Sequence, residues 1–180
     1  VISTLLVANR GEIARRVMRS ARALGMACVA VASDPDATAP HALEADALVR
    51  LPGATPAETY LSVDALVEAA LRSGADAVHP GYGFLSEHAG FARACAEAGL
   101  VFVGPPAPVI EAMGSKLAAK ATMAGAGVPV LPTVEIPGLA VADAAGGGTG
   151  TGADLDPEVA ARAEALGWPV LVKASAGGGG

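Results

Sequence analysis

Apolar and polar positions follow two rhythms along this chain. Short unbroken apolar runs alternate with longer stretches of helical period. Thr4–Ala8 is the first apolar run, and Asn9-Arg10-Gly11-Glu12 turns the chain after it. From Ile13 the spacing predicts a helix with Ile13, Val17, Ala21 and Leu24 on one face, stopped by Gly25. Arg15, Arg16, Arg19 and Arg22 fall largely on its other faces. A second apolar run, Ala27–Ala32, comes directly afterwards. Strand, helix and strand at this spacing imply parallel strands.

The unit then recurs with variations. Ala47–Leu51 is a strand candidate. Thr55-Pro56-Ala57-Glu58 reads as a capping box with Pro at the first helical position, which predicts a helical turn. Ser62 caps a helix whose Val63, Leu66, Val67, Ala70 and Leu71 are apolar and whose Asp64, Glu68 and Arg72 are polar. Asp76–His79 is a strand ending at Pro80. Ser86 and Glu87 open a helix with Phe91, Ala94, Cys95 and Ala98 inward and Gly99 at its stop, and Leu100–Val103 is the next strand. This alternation predicts a doubly wound α/β domain with a parallel sheet over residues 1–113.

The pattern changes after Gly104-Pro105-Pro106. A helical stretch from Val109 to Met113 breaks at Gly114, and Ser115 caps a helix over Lys116–Ala124 that ends at Gly125–Gly127. Val128–Leu131 resumes an extended segment. Residues 137–157 are rich in Gly and Ala and read as a flexible surface loop. Glu158–Leu166 is a helix, followed by a strand to Lys173 and the run Gly177–Gly180. Residues 114–180 therefore read as the start of a second, incomplete domain.

At 180 residues there is room for one full domain and part of another. Aromatics make up only 3% of the chain, so the core relies on Leu, Val and Ala. A net charge of −6 argues against a general nucleic-acid binder. Cys28 and Cys95, without CxxC or Cys/His spacing, read as buried thiols in a reducing compartment, with no metal site. No apolar run is long enough to cross a membrane, and the early charges of Arg10 and Glu12 do not suit a secretory signal. A soluble cytoplasmic protein is expected.

In open α/β sheets ligands bind beyond the carboxyl ends of the strands. Three such ends carry candidate chemistry. A dinucleotide-binding turn after the first strand would show GxGxxG. Only Gly11 is present, so NAD and FAD do not fit, and a tight turn with solvated charges stands beside a direct functional role. In His79-Pro80-Gly81-Tyr82-Gly83-Phe84-Leu85-Ser86-Glu87, the glycines permit close backbone approach while Tyr82 and Glu87 offer a phenol and a carboxylate. The same segment also reads as a turn holding Tyr82 and Phe84 in a hydrophobic seam, with His79 as a hydrogen-bonded structural residue. The third place is the pair Lys116 and Lys173 with the terminal glycines. Lys116 alone reads as a solvated helix lysine. Lys173 closes a Val-Leu-Val strand just before a glycine loop, an arrangement suited to the phosphates of a nucleotide triphosphate. The Walker spacing GxxxxGK[ST] is absent, so this is not a P-loop.

Five segments in order carry a resemblance: Val7-Ala8-Asn9-Arg10-Gly11-Glu12-Ile13-Ala14, His79–Glu87, Phe102-Val103-Gly104-Pro105, Met113-Gly114-Ser115-Lys116 and Lys173–Gly180. Together they resemble biotin carboxylase, the ATP-grasp module of the biotin-dependent carboxylases. The chain looks most like the α subunit of a bacterial acyl-CoA carboxylase of the acetyl- or propionyl-CoA type. The resemblance covers nearly everything but the Gly/Ala-rich stretch, which is longer than usual for the family.

The resemblance implies a Rossmann-like N-terminal domain followed by the start of an ATP-grasp domain. It implies an enzyme that uses Mg-ATP to activate bicarbonate as carboxyphosphate and then carboxylates biotin on a biotinyl carrier domain. A carboxyltransferase partner passes the carboxyl group to an acyl-CoA, and the full-length protein is a homodimer. By motif position, Lys116, Lys173, Gly179 and Gly180 would serve ATP, with the glycines in a closing lid. Tyr82 and Glu87 would face the biotin and bicarbonate side. The family pattern continues beyond Gly180 into the region that holds the Mg2+ ligands and the catalytic residues, so none of these is assigned here, and the isolated polypeptide is expected to be inactive. Two other readings stand beside this one. One is an ATP-grasp ligase of the carbamoyl-phosphate or purine-synthesis type, against which the His79–Glu87 segment argues. The other is a non-catalytic α/β interaction module using the arginine face of the first helix, a face that ordinarily is simply solvated.

Overall fold

A computed structural model of the chain describes residues 1–133 and 157–170. The chain divides into two compact units, Val1–Met113 and Gly114–Gly180.

The first unit is built from β1 (Thr4–Val7), α1 (Gly11–Ala23), β2 (Ala27–Ala32), α2 (Pro40–Leu43), β3 (Ala47–Arg50), α3 (Val63–Arg72), β4 (Ala77–His79), α4 (Ala89–Glu97), β5 (Val101–Phe102) and α5 (Ala107–Gly114). The five strands form one sheet in the order β3-β2-β1-β4-β5, and every pairing is parallel. Side chains alternate across a strand, so each apolar run feeds both faces. Leu6, Val29, Val31 and Val78 pack with Leu66 and Ala70 of α3 and with Phe91 and Cys95 of α4. Their neighbours Leu5, Val7, Cys28, Ala30 and Ala77 pack on the opposite face with Ala14, Met18 and Ala21 of α1. This is the expected doubly wound arrangement, and both cysteines lie buried and unpaired within it.

Several boundaries move from expectation. The buried face of α1 is Ala14, Met18 and Ala21, one residue round from the predicted Ile13–Val17 stripe. Leu24 lies past the helix end and is 75% exposed. Arg15 donates to both carboxylate oxygens of Glu44 at 2.8 and 2.6 Å, and Arg22 reaches Asp46 at 3.3 Å. The predicted stop at Gly25 is correct: at φ +81° it carries the Met26 N to Ala21 O bond (3.0 Å) and the Gly25 N to Arg22 O bond (2.9 Å) that satisfy the last carbonyls.

Thr55 and Glu58 do make the capping-box contacts: Thr55 N and Oγ1 donate to Glu58 Oε2 at 3.0 and 2.8 Å. They cap a turn, as expected. Leu61 N bonds Pro56 O at 2.8 Å, which closes the turn and delivers Tyr60 to the core. Ser86 and Glu87 do not open α4. Ser86 N and His88 N are taken by Gly83 O and Leu85 O in consecutive turns. The helix begins at Ala89, with His88 Nδ1 accepting from Phe91 N at 3.1 Å as its cap.

The second unit contains α6 (Lys116–Gly125), capped by Ser115 Oγ accepting from Ala118 N at 3.3 Å, and α7 (Pro157–Leu166). Val128–Leu131 forms no strand. Pro157 opens α7 rather than closing a loop. The rest of the predicted Gly/Ala-rich loop, the strand from Leu171 and the terminal glycines lie outside the described residues.

Candidate functional site

Strands β1 and β4 pair through Leu5–Ala77, Leu6–Val78 and Val7–His79. The chain leaves β1 toward β2 on one side and leaves β4 toward β5 on the other, so their carboxyl ends form the topological switch point of the sheet. The turn 9–12 and the turn 79–84 therefore stand side by side. Between them lies an open crevice of about 390 Å3 lined by residues of those two turns.

Asn9 fastens one turn to the other. Its buried Nδ2 donates to Pro80 O at 2.7 Å and to Tyr82 O at 2.8 Å, while its Oδ1 accepts from Arg10 N at 2.9 Å. Ala8 N adds a backbone bond to His79 O at 2.9 Å. Gly81 lies against this amide at φ +68°, where any Cβ would meet Asn9 Nδ2 at 2.6 Å. His79 Nδ1 accepts from Gly81 N at 2.9 Å, which puts its remaining proton on Nε2. Burial holds its pKa below the ordinary histidine range. His79 is thus hydrogen-bonded, as its structural reading expects.

The hydrophobic-seam reading applies to Phe84 but not to Tyr82. Phe84 adopts φ +40° and stacks on Tyr60 with ring centroids 5.1 Å apart. A non-glycine residue in that region costs roughly 1–2 kcal/mol, and an aromatic pair returns a comparable amount. Tyr82 instead is 60% exposed, and its phenol donates to the Glu12 carboxylate across the crevice. That bond, with slight burial, raises the phenol pKa. Glu87 is exposed and makes no hydrogen bond or ion pair with any described residue.

A second polar group supports the first turn from behind. Asp36 is buried, yet its carboxylate accepts from Tyr60 OH at 2.7 Å, Ser33 Oγ at 3.1 Å and Arg10 Nη2 at 2.7 Å. Burial pushes its pKa up, but these bonds and the Arg10 charge outweigh it and hold the group below the ordinary aspartate value. The Arg10 guanidinium also sits 5.9 Å from the Tyr60 ring centroid. Tyr60 thereby links the first turn to the stacked Phe84. Its own pKa is raised by burial and by Asp36. Beside this group His41 is fully buried: Nε2 contacts Val31 O at 3.2 Å and Nδ1 has no hydrogen-bond partner among the described residues.

The structure thus brings Tyr82 to the switch point with Glu12 and Asn9 of the first candidate turn, two places that the sequence singled out separately and did not pair. An Asn directly after an apolar strand and before a glycine was the available signal for Asn9. Nothing in the spacing tied Asp36 to Tyr60. Lys116 is the first residue of α6 in the second unit, and Lys173, Gly179 and Gly180 lie outside the described residues. Among the described residues no three His, Cys, Asp or Glu side chains converge as a metal site, and no helix is long and apolar enough to cross a membrane.

A family profile for the biotin carboxylase N-terminal domain matches residues 1–110. The chain belongs to the biotin carboxylase family. It is 46% identical to a biotin carboxylase of Halalkalibacterium halodurans, over 98% of this chain and 36% of that protein. It is 49% identical to the mitochondrial methylcrotonoyl-CoA carboxylase subunit alpha of Oryza sativa, over 99% of this chain and 22% of that protein. Among solved structures it resembles the dimeric biotin carboxylase domain of the Hydrogenobacter thermophilus 2-oxoglutarate carboxylase, in complex with MgADP, ADP and bicarbonate. The TM-score there is 0.80 at 44% identity, covering 99% of this chain and 36% of that one. The chain therefore spans about a third of the length of such relatives, or less. The parallel sheet of this α/β unit is the biotin carboxylase N-terminal architecture.

Proposed function

We propose that this chain supplies the N-terminal domain and the start of the nucleotide-binding domain of a biotin carboxylase. The whole protein would use ATP to carboxylate the ureido nitrogen of biotin with bicarbonate, the biotin being carried on a biotinyl domain. A carboxyltransferase partner would pass the carboxyl group to an acyl-CoA, and the carboxylase would work as a homodimer in a reducing cytoplasm. Relatives named for methylcrotonoyl-CoA and for 2-oxoglutarate match at 49% and 44% identity, which fits an acceptor chosen by the partner rather than by this segment.

The observation that carries the reading is the Asn9-fastened crevice at the switch point, with the Tyr82 ring at its mouth. In this reading Tyr82 and Glu87 face biotin and bicarbonate. Lys116 and Lys173 place cations on phosphate oxygens, which is the main help a protein gives to phosphoryl transfer. Gly179 and Gly180 belong to a lid that closes over the phosphates and keeps water from a labile acyl phosphate. Mg2+ bound with ATP would further neutralise phosphate charge, held by residues other than those described.

The test is bicarbonate-dependent ATP hydrolysis by the full-length protein carrying Lys116→Ala or Lys173→Ala. The expected result is a rise in the KM for ATP, a fall in kcat, or both. Parental values in both variants would overturn the nucleotide assignment.

A further inference from the structure

We infer that Glu12 is a positioning residue for Tyr82, fixing the phenol ring at the mouth of the switch-point crevice so that its face meets a planar, uncharged cyclic urea. This rests on the placement of Tyr82 on the biotin side proposed above.

Tyr82 is gripped twice by the same turn. Its carbonyl accepts from Asn9 Nδ2 at 2.8 Å, and its phenol donates to the Glu12 carboxylate. Two attachments at opposite ends of a residue define both its backbone position and its ring direction. Among the described residues no other hydrogen bond holds the ring. Tyr82 belongs to no apolar cluster, unlike Phe84 two residues on, and more than half of its surface is open. Without the Glu12 bond, the flanking glycines Gly81 and Gly83 offer no side chain to restrain it. An unrestrained ring would give up rotamer freedom at each binding event.

Glu12 is suited to the task. It lies in the first turn of α1, where the helix dipole favours a negative charge. That helix is fixed to the sheet by Ala14, Met18 and Ala21, so the carboxylate rides on a rigid element. Among the described residues its one hydrogen-bond partner is Tyr82. The phenol is consumed as an anchor, leaving the ring face as the surface offered to a ligand. A flat uncharged heterocycle matches that face by stacking.

The test uses the full-length carboxylase with free biotin as acceptor. KM for biotin and kcat are measured for Glu12→Ala, Glu12→Gln, Tyr82→Phe, Tyr82→Ala and the Glu12→Ala/Tyr82→Phe double variant. A hydrogen bond of this kind is worth about a fivefold change in affinity. Glu12→Ala and Tyr82→Phe should each raise the KM by that factor with a smaller change in kcat. The double variant should be no worse than either single one, because both remove the same bond. Glu12→Gln, which keeps an acceptor oxygen, should stay within about twofold of the parent. Multiplying effects in the double variant, a parental KM in Glu12→Ala, or a Glu12→Gln as impaired as Glu12→Ala would each overturn the positioning role while Tyr82 itself still mattered. Parental KM and kcat in Tyr82→Ala would overturn the biotin-side placement of Tyr82, and the inference with it.

Discussion

Gly81 rests against the side chain of Asn9 so closely that a single added carbon would lie 2.6 Å from Asn9 Nδ2. The contact and the backbone angle act together. At φ +68° an L side chain is strained even in open space. Here the neighbour is an amide already committed to Pro80 O and Tyr82 O. Gly81→Ala should therefore destabilise the first unit by about 2–4 kcal/mol, from left-handed strain plus displacement of the amide. Asn9→Ala should cost about 1–3 kcal/mol by stranding the buried acceptors. Urea denaturation of the chain measures both. If Gly81→Ala unfolds at the parental midpoint, the two turns are not locked as described.

The fold was legible because its signals are local. In the first unit each apolar run between helices announced a strand, and Gly25 and Gly99 fell where helices end. Ser62 and Ser115 cap their helices as their position suggests, with Ala65 N and Ala118 N donating to their hydroxyls. The failures share a cause as well. His88, a weak cap by composition, displaced Ser86 because two consecutive turns had already taken the backbone donors. The face of α1 turned by one residue because Met18, not its apolar neighbour Val17, fills the packing against the sheet with Ala14 and Ala21, a choice that periodicity alone does not make. Within the site, Tyr82 was legible as an aromatic between glycines. Its anchor Glu12 was not, since the pair is 70 residues apart and only the parallel register of β1 and β4 joins them.

Cys95 tests the burial of the α3–α4 face. It is fully enclosed, and loss of solvent pushes its thiol pKa up to about 11. Cys28 is enclosed on the other face, and burial raises its pKa too. The thiolate is the reactive form, so both should resist alkylation in the folded chain. Iodoacetamide at pH 8 should label neither within the time that a small-molecule thiol reacts fully, and should label both in urea. Rapid labelling of native Cys95 would mean that Phe91 and Leu6 do not cover it.

One buried imidazole, His41, and one half-buried imidazole, His79, set the behaviour of the chain in mild acid. Burial lowers the pKa of His41 and of His79 from the ordinary 6.5. Below 6.5 the unfolded chain takes up protons that the folded chain refuses, so folding stability should fall as pH drops. Each group contributes a slope of up to about 1.4 kcal/mol per pH unit until its folded pKa is passed. Their stabilising effect is complete above the unfolded value. His41→Gln should remove one group's share of the slope between pH 6.5 and about 5. Urea denaturation across that window checks it, and an unchanged slope would place His41 in contact with solvent.

Asp36 has the same proton balance in a more acidic window: the unfolded chain binds the proton more readily, and the slope has the same sign. Its folded pKa lies below the ordinary 3.8 because the Tyr60, Ser33 and Arg10 contacts outweigh a burial that acts the other way. The stability it provides is thus fully present above the unfolded value and is lost as pH falls through the folded one. Asp36→Asn should cost about 1–3 kcal/mol at pH 7, since it leaves the Arg10 guanidinium without its carboxylate and weakens the acceptor for Tyr60 OH. The deficit should shrink steadily below pH 4 as the parent protonates. Other carboxylates titrate in the same range, Asp76 and Glu58 among them, so the difference between parent and variant isolates Asp36. The consequence reaches the crevice through Tyr60: Ser33 N and the core still hold its ring, but a weaker acceptor at position 36 loosens the hydroxyl end, and with it the stacked support of Phe84 in the turn carrying Tyr82. A full-length Asp36→Asn enzyme should therefore show a raised KM for biotin even at temperatures where it remains folded. A parental KM in that variant would confine the network to stability alone.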